Sequence, residues 1–217
     1  MQKYFISLVQ VLFFASISFG QNSQSIISTF VNRGNIFIKL SNNSVKQITF
    51  SNSDLNPFLL KKRNEIVFTR KTYCDVDNPE AIKIMTVNLS SLLEKTLVSK
   101  KPEQDGSYFT TCLMTVTNPT LSLDEKYLYF ITEAYTTSGG LVKVNLETGK
   151  WISLFDADFF ELIKQGQYSS LLLVGKSEIK DKGRDIYYYL MNEKNQKLKE
   201  FETKQNYQQF KKSIGMN

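Results

Sequence analysis

The feature that most constrains this chain is that it nearly repeats itself. Asn56-Pro57 followed by FLLKKRNEIVFTR lines up without a gap on Asn118-Pro119 followed by TLSLDEKYLYFIT, at an offset of 62 residues (57 to 119). Val87-Asn88-Leu89 then matches Val144-Asn145-Leu146 at an offset of 57 (87 to 144). The first copy therefore carries the extra residues between its second and third strands. A chain that repeats at this spacing builds one supersecondary unit several times and buries a core by stacking the copies.

The second copy shows what the unit is. Tyr127, Tyr129 and Ile131 alternate with Leu128, Phe130 and Thr132, the period of two that puts successive side chains on opposite faces of a strand. Asp124-Glu125-Lys126 makes a polar turn ahead of that strand. Thr148-Gly149 makes a second turn, where glycine supplies the positive φ a hairpin often needs. Residues 118–151 thus read as a four-stranded antiparallel sheet. A weaker third copy runs through residues 159–164, a Gly166-Gln167 turn, and residues 171–174, 185–191 and 198–201. Ahead of all three lies a hairpin. Residues 35–40 (NIFIKL) and 45–50 (VKQITF) flank an Asn42-Asn43 turn, and residues 21–28 read as a polar lead-in. Asparagine tolerates the left-handed region such turns use. This hairpin resembles the outer half of the unit. The 16 Phe and 11 Tyr also suit strands.

The fold class that follows is all-β: a β-propeller-like array of four-stranded antiparallel blades, about three and a half of them, spanning residues 21–202. The unit resembles the blade of the TolB-like propeller family, whose pattern is Pro-x-x-Ser-Pro-Asp-Gly-Lys-x-Ile-x-Phe. Pro119, Ser122, Asp124, Lys126, Leu128 and Phe130 stand at the matching positions. Leu123 replaces the second proline and Glu125 the turn glycine. The first copy keeps Pro57, Ile66 and Phe68 but has Lys62-Arg63 in the turn. This resemblance implies periplasmic protein–protein interaction.

Propellers have about four to eight blades, so three and a half leaves closure open. Residues 204–217 could add a strand and close a small ring, the sheets could stack in an open arc, or a partner chain could complete the array. The polar tail over residues 203–217 reads more as a short helix or a flexible end than as a strand.

Residues 1–20 have the anatomy of a secretory leader. Lys3 precedes a mostly apolar run, and Ser18 and Gly20 place small residues ahead of a cut before Gln21. The apolar run is short for a membrane span, which takes about 20 residues. The expected localisation is exported, periplasmic or extracellular, with no stable span after cleavage. The 217-residue chain has no histidine, which removes Ser-His-Asp and Cys-His nucleophilic machinery and His-based zinc sites. No cofactor, metal site or catalytic residue is read from the sequence. The net charge of +6 is spread among acids rather than gathered in a stripe, which argues against nucleic acid.

In a four-stranded meander, the loops between the second and third strands share a side with the connections between units. Residues 72–80, 101–111, 133–140, 156–158 and 176–184 collect on that side, and binding usually lives on such loops. The candidate ligand-binding residues there are Tyr73, Asp75, Asp77, Tyr108, Glu133, Tyr135, Asp156 and Asp158. Cys74 and Cys112, in an exported chain, are the expected disulfide. Trp151 reads as core and Tyr187-Tyr188-Tyr189 as strand packing. The leading functional expectation is a non-catalytic binding or scaffold protein whose inter-blade loop face holds a protein or cell-envelope ligand. Two alternatives stand beside it. One is a carbohydrate-active hydrolase using loop carboxylates such as Glu133, Asp156, Asp158 and Glu161. The other is a propeller fragment completed by a partner chain, with oligomerisation as its consequence.

Overall fold

The computed structural model describes residues 24–73, 80–99, 112–133, 139–180 and 183–216. Four separate antiparallel sheets follow one another along the chain. The first comprises β1 (Ile26–Asn32), β2 (Asn35–Leu40) and β3 (Val45–Gln47). The second comprises β4 (Asp54–Leu60), β5 (Glu65–Tyr73), β6 (Glu80–Asn88) and β7 (Glu94–Val98). The third comprises β8 (Thr117–Leu121), β9 (Tyr127–Glu133), β10 (Gly139–Asn145) and β11 (Trp151–Asp156). The fourth comprises β12 (Phe159–Leu162), β13 (Leu172–Lys180), β14 (Gly183–Met191) and β15 (Lys197–Phe201). Each sheet is a meander with its strands paired in sequence order, the propeller-like array expected from the repeat.

The repeat is visible bond by bond. Asn56 and Asn118 both take positive φ, and each opens a β-bulge, between Leu55 and Phe58 in β4 and between Thr117 and Thr120 in β8. Asn88 and Asn145 close the next turn alike. The Asn88 side-chain oxygen accepts from the Ser90 and Ser91 amides, and the Asn145 oxygen accepts from those of Glu147 and Thr148. Such Asx turns let a side chain stand in for a backbone turn. Asn192 does the same in the fourth sheet, accepting from the Lys194 and Gln196 amides.

Between sheets lie three apolar cores. Ile36 and Ile38 of the first sheet, with Ile48 just after it, meet Ile66, Phe68 and Val87 of the second. Leu60, Val67 and Ile84 meet Leu128, Phe130 and Val144 of the third. Tyr129, Ile131 and Leu154 meet Phe160, Val174 and Tyr189 of the fourth. Tyr188 points the other way from Tyr189, as strand alternation requires. Trp151 is only half-buried and packs its ring edge-on against Phe130, with centroids 5.4 Å apart. Lys143 is a buried cation between sheets: its Nζ donates to the Glu193 carbonyl at 3.0 Å and lies 4.4 Å from the Tyr127 ring centroid.

One expectation needs correction. Part of the supposed polar lead-in is structured, because β1 starts at Ile26 and pairs along β2 as far as Asn32↔Asn35. The turn joining them, Arg33-Gly34, has positive φ at both residues, the geometry that matches strand twist in a two-residue hairpin. The first sheet therefore has three strands rather than two. Residues 204–216 add no strand, in keeping with the reading of the tail as a short helix. They form α1 (Lys204–Ser213), capped where the Thr203 hydroxyl accepts from the Asn206 amide at 3.1 Å. Lys211 of this helix is buried. Its Nζ donates to both oxygens of Glu161, at 2.7 and 2.8 Å.

α1 lies on the outward face of the fourth sheet. Tyr207 is buried there against Tyr188, ring centroids 4.5 Å apart, and Ile163, Leu173, Leu190 and Phe201 complete the cluster. The face on which a further blade would pack is thus covered by a helix. Among the described residues no strand of the first sheet pairs with a strand of the fourth.

Candidate binding face

The expected face is built by the ends of β5, β6, β9, β10, β13 and β14 and by the β11–β12 junction. Asp75, Asp77, Cys74, Tyr108 and Tyr135 lie outside the described residues. Tyr73, Glu133, Asp156, Asp158 and Cys112 lie within them.

Two hairpins lengthen on this side. β4 pairs with β5 only as far as Arg70, yet β5 and β6 continue together to Tyr73↔Glu80. The Ile82 amide donates to the Leu113 carbonyl at 2.7 Å and anchors the base of this extension. Tyr73, at its end, is 73% exposed. In the fourth sheet β12 pairs with β13 as far as Gly175, and β15 with β14 as far as Tyr188. Beyond those points β13 and β14 run on as a two-stranded arm to Lys180↔Gly183. Alternation puts Ile179 and Ile186 on one side of the arm, 76% and 48% exposed.

These two isoleucines were not among the sequence candidates. The signal was present, since the alternating pattern of the third copy continues past Val174 through SEI and back through DIY. The assigned strand of residues 171–174 stopped too soon.

The carboxylates of the face take separate partners. Asp158 Oδ2 accepts from the Ser177 amide at 2.6 Å and from the Ser177 hydroxyl, fixing the β11–β12 junction onto β13. Asp156 and Glu178 flank Lys176, with Nζ–oxygen distances of 3.6 and 3.5 Å. Glu161 belongs to α1 instead, where Lys211 and the Tyr207 hydroxyl both donate to it. Burial and the neighbouring Glu161 carboxylate push the Tyr207 phenol well above its ordinary pKa. Glu133 ends β9 at the surface, its amide donating to the Thr115 hydroxyl at 3.3 Å. Among the described residues no group of three or more His, Cys, Asp or Glu side chains gathers to hold a metal ion.

Gly139 fixes how closely the third and fourth sheets approach on this side. Its carbonyl accepts from the Ala157 amide at 2.9 Å, and a Cβ on Gly139 would stand 2.5 Å from the Ala157 oxygen. Gly34 does the same at the start of β2: its carbonyl accepts from the Asp54 amide at 2.8 Å, and a Cβ would stand 2.2 Å from the Asn52 oxygen. The match places β2 in the same position as β10, the third strand of a blade.

Two clefts lie elsewhere. One, of about 410 Å³, sits among the turns and is lined by Lys62, Arg63, Asp124, Glu125, Lys126 and Glu147. The other, of about 390 Å³, lies beside the inner strands and includes Asn118, Thr120, Phe160, Lys164 and Met216. There the Asn118 side-chain amide donates to the Phe160 carbonyl at 2.9 Å, tying β8 to β12.

No family model and no curated protein sequence matches this chain. Its structural neighbours include propeller proteins. Dipeptidyl peptidase 4 from Porphyromonas gingivalis aligns over 81% of this chain and 31% of its own, with TM-score 0.54 and 10% identity. TolB from Acinetobacter baumannii aligns over 73% of this chain and 37% of its own, with TM-score 0.45 and 12% identity. The β-propeller domain of the Trilobed protease from Pyrococcus furiosus, described as having an open velcro topology, aligns over 69% of this chain and 42% of its own, with TM-score 0.44 and 15% identity. The chain spans less than half the length of each. At these identities the likeness is one of fold.

Proposed function

We propose that this chain is an exported binding module that holds a protein or cell-envelope ligand on the face formed by its second-to-third-strand loops and inter-sheet connections. The observation that carries this reading is the pair of hairpins lengthened on that side, which present Tyr73, Ile179 and Ile186 to solvent. Apolar and aromatic side chains on rigid strand pairs are what contact surfaces use, because little rotamer entropy is lost when they are covered. The acids nearby support binding rather than hydrolysis. Asp158 is spent on Ser177, and Asp156 shares Lys176 with Glu178, whereas glycoside cleavage needs two carboxyl groups facing one substrate. Export rests on the leader-like residues 1–20, and among the described residues no helix is long and apolar enough to cross a membrane. The resemblance of the third sheet's turn to the TolB-like pattern agrees with a role in protein–protein interaction. A disulfide between Cys74 and Cys112 would tie the first lengthened hairpin to the segment ahead of β8.

The test is cross-linking and capture from the native envelope with the wild-type chain and with a Tyr73→Ala/Ile179→Ser/Ile186→Ser variant. A specific partner lost in the variant, whose fold is checked by circular dichroism, supports the reading. An unchanged set of partners overturns it.

A further inference from the structure

The first sheet lacks one strand, and the other three show which. Gly34 and Gly139 make equivalent contacts at the starts of β2 and β10, so β1 stands where β5, β9 and β13 stand, second in its blade. Those three strands are each flanked by an inner strand: β4, β8 and β12. β1 pairs with β2 alone, leaving one edge without a strand among the described residues.

Burial reports the same gap independently. β5 and β9 each bury a run of residues, from Ile66 to Thr69 and from Leu128 to Thr132, and β13 buries Leu172 to Gly175. No residue of β1 is fully buried, and Phe30 is 37% exposed. Leu59 of β4 and Ile26 of β1 pack on the first core but stay half-buried.

The edge also carries little protection beyond one register shift between Ile26 and Ser28. Native sheets guard open edges with charge, proline or bulges. The inner strands β4 and β8 carry Asn-Pro bulges, and the Phe160 carbonyl of β12 is taken by Asn118. Residues 26–32 (IISTFVN) contain no charge and no proline, and Phe30 stacks on Phe37 beside the edge with centroids 5.6 Å apart.

We infer that the free edge of β1 is a docking site for one extended segment of a partner protein, which enters antiparallel to β1 and supplies the missing inner strand. Each of the other three sheets has one strand at this position, and β4 packs across the adjoining face of β1, the Pro57 carbonyl accepting from the Thr29 hydroxyl at 3.3 Å. One added strand completes the four-stranded meander that the other three sheets show. Backbone hydrogen bonds supply the attachment, and alternate side chains decide which segment fits. The chain's own inner strands define that chemistry. Their alternating apolar residues, such as Phe160 and Leu162 in β12, enter the cores between sheets, so the partner segment carries apolar residues at alternate positions on the side facing Leu59.

The probe is a synthetic peptide of residues 157–164 (ADFFELIK), the chain's own inner strand from the fourth sheet, added to the secreted form, residues 21–217. Amide hydrogen exchange and fluorescence anisotropy are measured together. The expected result is saturable binding with exchange slowed selectively in β1. Binding weakens roughly tenfold or more when a charge is placed beside the edge by Phe30→Lys. It is lost when the same strand is fused ahead of Ile26 through the Lys61–Arg63 turn sequence and Asn64, because the fused strand fills the position. β1 exchange left unchanged by both peptide and fusion overturns the inference. A dimer in sedimentation that Phe30→Lys dissociates also overturns it, assigning the edge to a second copy.

Discussion

Asn56 and Asn118 hold the same left-handed backbone, with φ of 50° and 52°, each directly ahead of a proline and each opening the same bulge. Asparagine is among the few side chains that take this conformation readily. The two diverge in what the side chain then does: Asn56 donates to the Thr69 hydroxyl within its own sheet at 3.1 Å, whereas Asn118 reaches Phe160 in the next. A β-branched residue at either site pays the left-handed strain and loses the bond. Asn118→Val is expected to destabilise the chain by about 1–3 kcal/mol. Asn118→Gly removes the strain and loses only the bond to Phe160, so urea unfolding should place it between wild type and Asn118→Val.

Arg70 joins two acids inside the second sheet. It pairs with Asp54 through Nε at 2.6 Å and with Glu94 through Nη1 at 2.7 Å. Asp54 is wholly buried. The hydrogen bond to Asp54 is the main reason the guanidinium holds its proton above the usual range. Arg70→Met leaves the Asp54 carboxylate buried without a cation, and a loss of about 3–5 kcal/mol is expected in chemical denaturation. Adding Asp54→Asn to that variant should restore part of it.

Removal of α1 should convert a covered sheet face into a sticky one. A chain ending at Glu202 exposes Tyr188, Leu190 and Phe201, which α1 now covers through Tyr207 and Phe210. The expected outcome is concentration-dependent self-association in light scattering. Tyr207→Ala keeps the helix but empties its main contact, and should cost about 3–5 kcal/mol, as for other buried aromatics.

Acid should loosen the β8–β9 turn. Desolvation pushes the Asp124 carboxyl upward, but hydrogen bonds from the Ser122 hydroxyl and the Lys126 amide outweigh it and hold its pKa below the ordinary carboxylate value. Because the folded value is depressed, the contribution is present above the unfolded pKa and is lost as pH falls through the folded one. Ser122→Ala should raise the Asp124 pKa in an NMR titration. An unmoved titration would mean that Ser122 does not hold the carboxylate.

If Cys74 and Cys112 pair as proposed, the unfolded, unreduced protein should not react with thiol reagents. Cys112→Ser should then lower stability by roughly 3–4 kcal/mol, the value for a closed loop of about 38 residues. Two reactive thiols per chain would refute the pairing.

Much of the fold was legible because its causes are local. Alternation marked β9, the Asn-Pro pairs and the two Val-Asn-Leu triplets gave the offset, and Thr148-Gly149 marked a turn. Glu125 shows how such a reading bends without breaking: it sits at φ 62°, where the TolB-like pattern has glycine, and Ser122 and Asp124 still close the turn. The candidate face was legible only as a side of the sheets. Which acids would be spent on Ser177 or Lys176, and that Ile179 and Ile186 would extend past the last paired neighbour, depends on where β12 and β15 end.

The sequence by itself determined the unit: the antiparallel meander, its turns and its copies, because period and turn chemistry act over a few residues. Only the tertiary structure decided what happens at the two ends of the array. Lys211 reads as one more polar residue of a basic tail until Glu161, far away in sequence, is brought beneath it. That contact, with Tyr207 buried beside it, makes the last residues a cap instead of a strand. Likewise residues 21–28 read as a polar lead-in, and the strand Ile26–Asn32 with its unpaired edge emerges only when β2 pairs with it and three other sheets show the neighbour it lacks. Contacts between residues distant in the chain set both ends, and no local pattern encodes them.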